Sequence, residues 1–438
     1  MKQQYTRRSF LKTLGAGAAT LSLSSTVGPW VHAQTPFVLG MANPLSTFFG
    51  QAAEKALRLR INELNNGGGI MGRQVELVTS DSAGRPDQAL RAVQELALSK
   101  GADVMTGFFF SEELTGALPS FTAFRKLFLG TGASTPNASV AVQQDYDNNK
   151  FFFRIGPVNS LFILQLMATF EIGFVENGLG LNKAVLLAED ASWTQAITAS
   201  MPSILGAFGS QVQVVDTIRY AEDTADFSSI YSRAVDSGAD HILTAMAHTG
   251  IRPTAQWAAA EVPLPLIGIN VQAQDGNFDN LSNGAAESVV TFTSGANAPI
   301  TPNTIPFVNS FAAFSDVFPE ITIPSYNAFI SSDAIDVLVD SIQRAGVFPD
   351  TEDNTDAVIE AMEQASVVGT TGTIEFYQLN EVGVSPIRPD LAFPHDVRVD
   401  NAQGVWVQWQ NGNLETLFPP NLATAGFVNP PWLRSPGS

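Results

Sequence analysis

The sequence predicts an α/β protein of two doubly wound lobes, each a mostly parallel sheet with helices on both faces. Strand-like and helix-like segments alternate from Pro36 onward, and the alternation runs twice. The 438 residues are too many for one ordinary core, and 45% of them are hydrophobic, enough to build two.

Each element follows from its periodicity. Phe37–Met41 is a short apolar strand, and Phe48–Leu64 carries Ala53, Leu57, Ile61 and Leu64 on one helical face. Gln74–Thr79 alternates as a half-buried strand does. Pro86 opens a helix whose Leu90, Val93 and Ala97 share a face. Strands at Asp103–Thr106 and Lys126–Gly130 flank a helix at Glu112–Phe124. The second round has strands at Phe151–Ile155, Ala184–Ala188, Val212–Val215, His241–Ala245 and Leu266–Ile269. Helices at Ser160–Phe174, Trp193–Phe208, Phe227–Ser237 and Gly250–Ala260 separate them. After Ser288–Thr293 come helices at Asn303–Ser315, Ser325–Ala345 and Ala357–Gln364. Gly369–Phe376, His395–Val399 and Gly404–Trp409 suggest an antiparallel ending, and Pro419–Ser438 a Pro-rich extended tail.

The N-terminus reads as an export leader, residues 1–33. Arg7-Arg8 precedes an apolar stretch, Leu14–Val31, rich in Gly, Ala and Ser, and Val31-His32-Ala33 offers small residues at a cleavage site. The competing reading, a membrane anchor, fits poorly because the stretch is weakly apolar and barely long enough to span a bilayer. A twin-arginine signature implies export of the folded chain, so the mature protein is expected in the periplasm, without a membrane anchor. Cysteine is absent, which excludes disulfides, thiol catalysis, thiolate metal sites and a lipidated cysteine. The net charge of −19 becomes more negative once Lys2, Arg7, Arg8 and Lys12 leave with the leader. Such a surface disfavours nucleic acid and anionic lipid.

Catalytic motifs fail on context. Gly67-Gly68-Gly69-Ile70-Met71-Gly72 matches the dinucleotide pattern, but a helix precedes it and a strand follows, the reverse of what a pyrophosphate site needs. The glycines read instead as a helix stop with left-handed conformations. His241, His248 and His395 are far apart and show no liganding pattern, so neither a metal nor a catalytic residue is expected. The pairs Glu112-Glu113 and Glu189-Asp190 read as helix-start or solvated acids. No cofactor is expected.

Open parallel sheets bind ligands beyond the carboxyl ends of their strands. That rule nominates the loops Ala42–Thr47, Phe108–Ser111, Gly132–Thr135, Asp190–Trp193, Ala247–Thr249 and Asn270–Gln272. Gly132, Ala133, Ser134 and Thr135 offer backbone N–H groups and hydroxyls to a carboxylate or amide. Phe108, Phe109, Phe110 and Trp193 could wall an apolar part, with one or two of Phe108–Phe110 expected in the core.

At these residues the chain resembles the leucine/isoleucine/valine-binding proteins, periplasmic solute receptors of ABC importers. The segments are Asn65–Arg73, Glu76–Val78 with Asp81–Gly84, Gly130–Pro136, Arg154–Pro157, Asp190–Trp193 and Tyr326–Ala328. Their order and spacing carry the resemblance, from about Pro36 to Trp409. It implies a type I clamshell with three crossovers. One lobe is residues 34–157 and 294–366, the other 158–293 and 367–418, with a tail at 419–438. It also implies no catalysis, a monomer, and a small ligand such as a branched-chain amino acid, amide or carboxylate, passed to an inner-membrane ABC permease. The implied ligand residues are Phe110, Ser111, Gly132, Ala133, Ser134, Asp190, Trp193, His248, Asn270 and Tyr326. Within them, Ser111 and Ser134 meet the ligand carboxylate, the Gly132 carbonyl takes the ammonium, and an aromatic such as Trp193 closes the cleft. One departure stands out: Asn270 sits where an acid commonly pairs with the ammonium. Either Asp190, Glu112 or Asp275 substitutes, or the ligand has no ammonium. The alternative role is a sensor subunit of the same fold that reports to a receptor kinase. An exported amidase or hydrolase would need a nucleophile and base that the sequence does not show.

Overall fold

Alternation in the strands decides how the layers assemble. In β1 (Phe37–Asn43), Phe37, Leu39 and Met41 face one apolar core while Val38 packs against another. A strand buried on both faces needs helices on both sides, and the computed structural model of the chain provides them. It describes residues 35–381, 393–398 and 404–433; the expected leader, its cleavage site and the end of the tail lie outside these.

The first sheet joins β1, β2 (Val75–Asp81), β3 (Val104–Gly107), β4 (Phe128–Gly130) and β5 (Phe152–Arg154). Their order is β2-β1-β3-β4-β5, and all pairs are parallel. The helices between them are α1 (Phe48–Asn66), α2 (Pro86–Leu98), α3 (Ser111–Phe124), α4 (Asn137–Gln144) and α5 (Tyr146–Asn149). The chain then crosses through α6 (Ser160–Phe170), which runs on as a π-helix over Glu171–Leu179, five residues beyond the Phe174 end that the sequence suggests.

The second sheet is built from β6 (Lys183–Glu189), β7 (Gln213–Tyr220), β8 (His241–Met246) and β9 (Leu266–Asn270), in the order β7-β6-β8-β9, again parallel. The helices α7 (Ser192–Ala207), α8 (Ser228–Asp236) and α9 (Ile251–Ala259) connect them, followed by α10 (Phe278–Leu281) and β10 (Val290–Thr293). The chain returns to the first sheet as α11 (Thr304–Ala313), α12 (Tyr326–Ala345) and α13 (Glu352–Glu363). Here Phe307, Phe311 and Phe329 pack with Ala52, Ala56 and Leu59 of α1. A small hairpin, β11 (Val367–Val368) and β12 (Thr373–Ile374), leads into β13 (Val405–Gln410), which pairs antiparallel with both β10 and β14 (Asn413–Phe418).

Several expected elements move. β7 runs five residues past its expected end, because its outer edge carries polar residues that hide the pattern. Of the strand expected over Gly369–Phe376 only Thr373–Ile374 forms, paired with Val367–Val368, because Asp333 takes the N–H and hydroxyl groups of Thr370 and Thr371. Of the strand expected at His395–Val399, Val399 lies outside the described residues and the rest forms single bridges, Arg154 with Asp396 and Phe376 with Val397. The tail does not simply trail: Gln408 and Gln410 on β13 donate to the carbonyls of Val428 and Gly426, and Trp432 packs on Trp257. The glycine stop after α1 is built as expected from Gly68 onward. Gly69 has φ +78°, and a Cβ there would lie 2.1 Å from the Arg73 carbonyl oxygen.

Candidate functional site

The C-terminal ends of both parallel sheets open onto one small cavity. The first sheet supplies Phe109, Ser111 and Ser134 to its wall. Val158 and Ile163 come from the crossing and α6. The second contributes Trp193, Ala247, His248, Ile269 and Val271, and Gln274, Phe292 and Tyr326 close the rest. The wall is chiefly apolar with a few converging polar groups, the usual make-up of a small-molecule site.

Ser111 begins α3, and its Oγ accepts the backbone N–H groups of Ser134 (3.2 Å) and Thr135 (3.0 Å). Ala133 N–H donates to the Phe108 carbonyl. The backbone donors expected to receive a carboxylate are therefore largely used within the protein, because the loop folds onto the start of α3. What this side can still give a ligand is the Ser111 and Ser134 hydroxyls.

The loop is braced from behind by Arg154, which is 1% exposed. Its guanidinium donates to the carbonyls of Ala133 and Thr135 and pairs with Asp396 at 3.0 Å. Asp396 also accepts from Ser139 and Asn159, so the buried pair is well satisfied. Glu113 braces the neighbouring loop by accepting from the N–H groups of Phe109 and Phe110. Burial pushes its carboxyl up to about 7 despite those bonds.

Glu189 organises the opposite wall. It is fully buried at the end of β6, contrary to its expected solvated role. One oxygen accepts from Trp193 Nε1 at 2.8 Å, and the other from His248 N and Thr249 Oγ1, both at 2.9 Å. It therefore fixes two cavity side chains at once. His248 Nδ1 lies 2.8 Å from Glu222 and 3.5 Å from Glu189, while its ring packs on Phe110. Burial pulls the His248 pKa down, but Glu189, Glu222 and Glu112 outweigh it and the net shift is upward. Histidines far apart in sequence thus do find carboxylate partners here, since the acids arrive from the ends of other strands. Glu189, Glu222 and His248 place ligating atoms within 4.8 Å of one another, a spacing a divalent cation could use. The hydrogen bonds just described already engage those atoms, so the arrangement is that of a cluster holding a ring.

The ten residues named from sequence divide by side-chain placement. Ser111, Ser134, Trp193, His248 and Tyr326 line the cavity. Phe110 stands just behind, against His248, and it is Phe109 that reaches the wall. Neither Gly132 nor Ala133 is part of the wall, and the Gly132 carbonyl accepts from the Tyr326 hydroxyl at 2.8 Å. Asp190 turns outward to pair with Arg219 at 2.5 Å, its side chain 63% exposed. Asn270 points away from the cavity, into the start of α9, where its Nδ2 donates to Gly250 O and Thr254 Oγ1. Gly250 allows that approach: a Cβ there would meet Asn270 Oδ1 at 1.8 Å.

Glu112 links the two sides by accepting from Ser192 N–H, at the start of α7, at 3.0 Å. Burial works against its charge, but the Ser192 bond prevails and holds its pKa below the ordinary carboxylate value. Asp275 stays local and caps Asn277 N. Sequence reasoning missed Gln274, whose Oε1 accepts from Tyr326 N and whose Nε2 donates to Phe292 O, fixing the cavity floor. It also missed Arg154 as the loop brace. Glutamine carries no pattern signal, but an arginine inside an apolar strand run was a visible one.

Comparison with known proteins agrees with this geometry. A family profile described as "Periplasmic binding protein" matches residues 36–388. The Leu/Ile/Val-binding protein homolog 8 of Brucella abortus is 23% identical over 423 residues, covering 92% of this chain and 95% of its own length. An "Amino acid binding protein" of Pseudomonas aeruginosa is 26% identical over 131 residues, which span only 35% of its length. Among solved structures, a solute-binding protein of an ABC transporter from R. palustris, in complex with benzoate, superposes with a TM-score of 0.69 at 18% identity, covering 91% of this chain and 99% of that one. The branched-chain amino acid transporter substrate-binding protein of Streptococcus pneumoniae, in complex with isoleucine, gives 0.69 at 14%, covering 88% and 100%. At these identities the structural matches establish the fold.

Proposed function

The chain belongs to the periplasmic binding protein family, and from that premise we propose that it captures a small solute in the cavity between the two sheets' strand ends and delivers it to an ABC permease in the inner membrane. The observation that carries the reading is that both sheets line one apolar cavity with a few polar groups. A solute there touches both sides at once, so it binds a closed arrangement better than an open one and shifts the population toward closure. The lobes are taken as residues 34–157 with 294–366, and 158–293 with 367–418. Delivery takes place outside the cytoplasm, after export by the twin-arginine leader. No described helix is long and apolar enough to cross a membrane. The ligand falls among the branched-chain amino acids and related amides and carboxylates, and no catalysis is assigned.

Trp193 provides the test. It is 4% exposed and held by Glu189, so its fluorescence should change on titration with a bound solute. Trp193→Ala should weaken that solute's binding about tenfold or more, as loss of a central aromatic anchor does. Unchanged affinity would remove the cavity from the binding role.

A further inference from the structure

We infer that the cavity is built for a small monocarboxylic acid with an apolar body and no α-ammonium group, with His248 as the cationic donor that selects the acid. This rests on the solute-binding reading above and narrows it.

The case begins with what an ammonium would require. A buried ammonium without a carboxylate partner costs several kcal/mol. Among the described residues, no Asp or Glu lines the cavity. Each acid near enough to be considered is engaged elsewhere. Asp190 pairs with Arg219, Glu112 accepts from Ser192 N–H, and Asp275 caps Asn277 N. Glu189 stands behind Trp193 and His248 with both oxygens occupied. Asn270 is turned into the start of α9, and the Gly132 carbonyl is taken by Tyr326.

A carboxylate finds the opposite. The Ser111 oxygen accepts two backbone N–H groups, which leaves its hydroxyl proton to donate. Ser134 adds a second hydroxyl. Among the described residues, histidine is the only cationic residue type in the wall. With Nδ1 facing the carboxylates of Glu222 and Glu189, His248 must donate there, and Nε2 is its remaining polar atom. The charged groups around the ring are Glu189 from β6, Glu222 from the loop after β7, and Glu112 from α3 across the cavity. Ile163, Ile269, Val271, Phe109, Phe292 and Trp193 suit an aromatic or branched body.

The experiment is calorimetric titration of the full chain with matched probes: 4-methylpentanoate, 4-methylpentanamide and L-leucine, then 3-phenylpropanoate and L-phenylalanine. At least one acid should bind about tenfold or more tighter than its amino-acid counterpart, the scale of one unpaired charge. His248→Gln should lower acid affinity by about tenfold and leave amide binding nearly unchanged. Should that variant misfold, Glu222→Gln serves: it lowers the pH above which acid affinity falls. An amino acid binding tighter than its deaminated acid overturns the inference and leaves solute binding intact. Acid affinity unaltered in either variant at every pH overturns the role of His248. Failure of every acid, amide and amino acid to bind overturns the solute-binding reading, and this inference with it.

Discussion

Three buried ionisable groups near the cavity do different work. Arg154 and Asp396 form a satisfied pair that holds the loop carrying Ser134. Removing one partner leaves the other charge buried and unpaired. Arg154→Met should therefore cost about 3–5 kcal/mol in denaturant unfolding. Asp396→Asn in the same background should recover part of that loss. Strictly additive losses would show that the two do not act as a pair. Glu113 is a penalty rather than a gain. Its folded pKa of about 7 lies above the ordinary 4.5, so the folded state prefers the protonated form. The cost is absent below pH 4.5, grows through pH 7, and is then constant at about 3 kcal/mol. Glu113→Gln should remove that dependence, so the variant gains stability relative to the parent between pH 5 and 8. Parallel stability curves for the two would contradict it.

At the scale of elements, the stop after α1 has an exacting local geometry. Gly69→Ala forces a Cβ to 2.1 Å from the Arg73 carbonyl at a left-handed residue, so it should destabilise by about 1–3 kcal/mol. A neutral effect in thermal unfolding would show that the turn relaxes freely. Most helices and parallel strands were legible because burial of one face writes a period into the sequence, as in Ala53, Leu57 and Ile61. Elements held by other forces were not. α4 starts beside the hydroxyl of Thr135 with little periodicity, and β14 alternates weakly at a sheet edge. The loops at the strand ends were legible by topology alone. Side-chain direction within them was not. Asp190 and Asn270 stand at the ends of β6 and β9, as nominated, yet the partners that turn them from the cavity, Arg219 and the start of α9, come from elsewhere in the chain. The buried roles of Glu113 and Glu189 were hidden likewise, since an acid in sequence looks the same whether its acceptors face water or backbone N–H groups.

For the whole molecule, one apolar core runs without a break from Phe37 in the first sheet through Ile155, Val158 and Ile163 to Leu186 and Ile267 in the second. The cavity lies where that core meets the loops, bridged by Glu112 to Ser192 and closed by Gln274 and Tyr326. A solute there adds contacts to both sheets together, so its binding energy appears as stability of the entire chain. The most direct test is a thermal-unfolding screen of the full chain against small acids, amides and amino acids. A true ligand at 100 times its dissociation constant should add about 2.7 kcal/mol, and Ser111→Ala with Trp193→Ala should remove most of that gain. Stabilisation that persists undiminished in the double variant, or none with any compound, would contradict solute capture in this cavity.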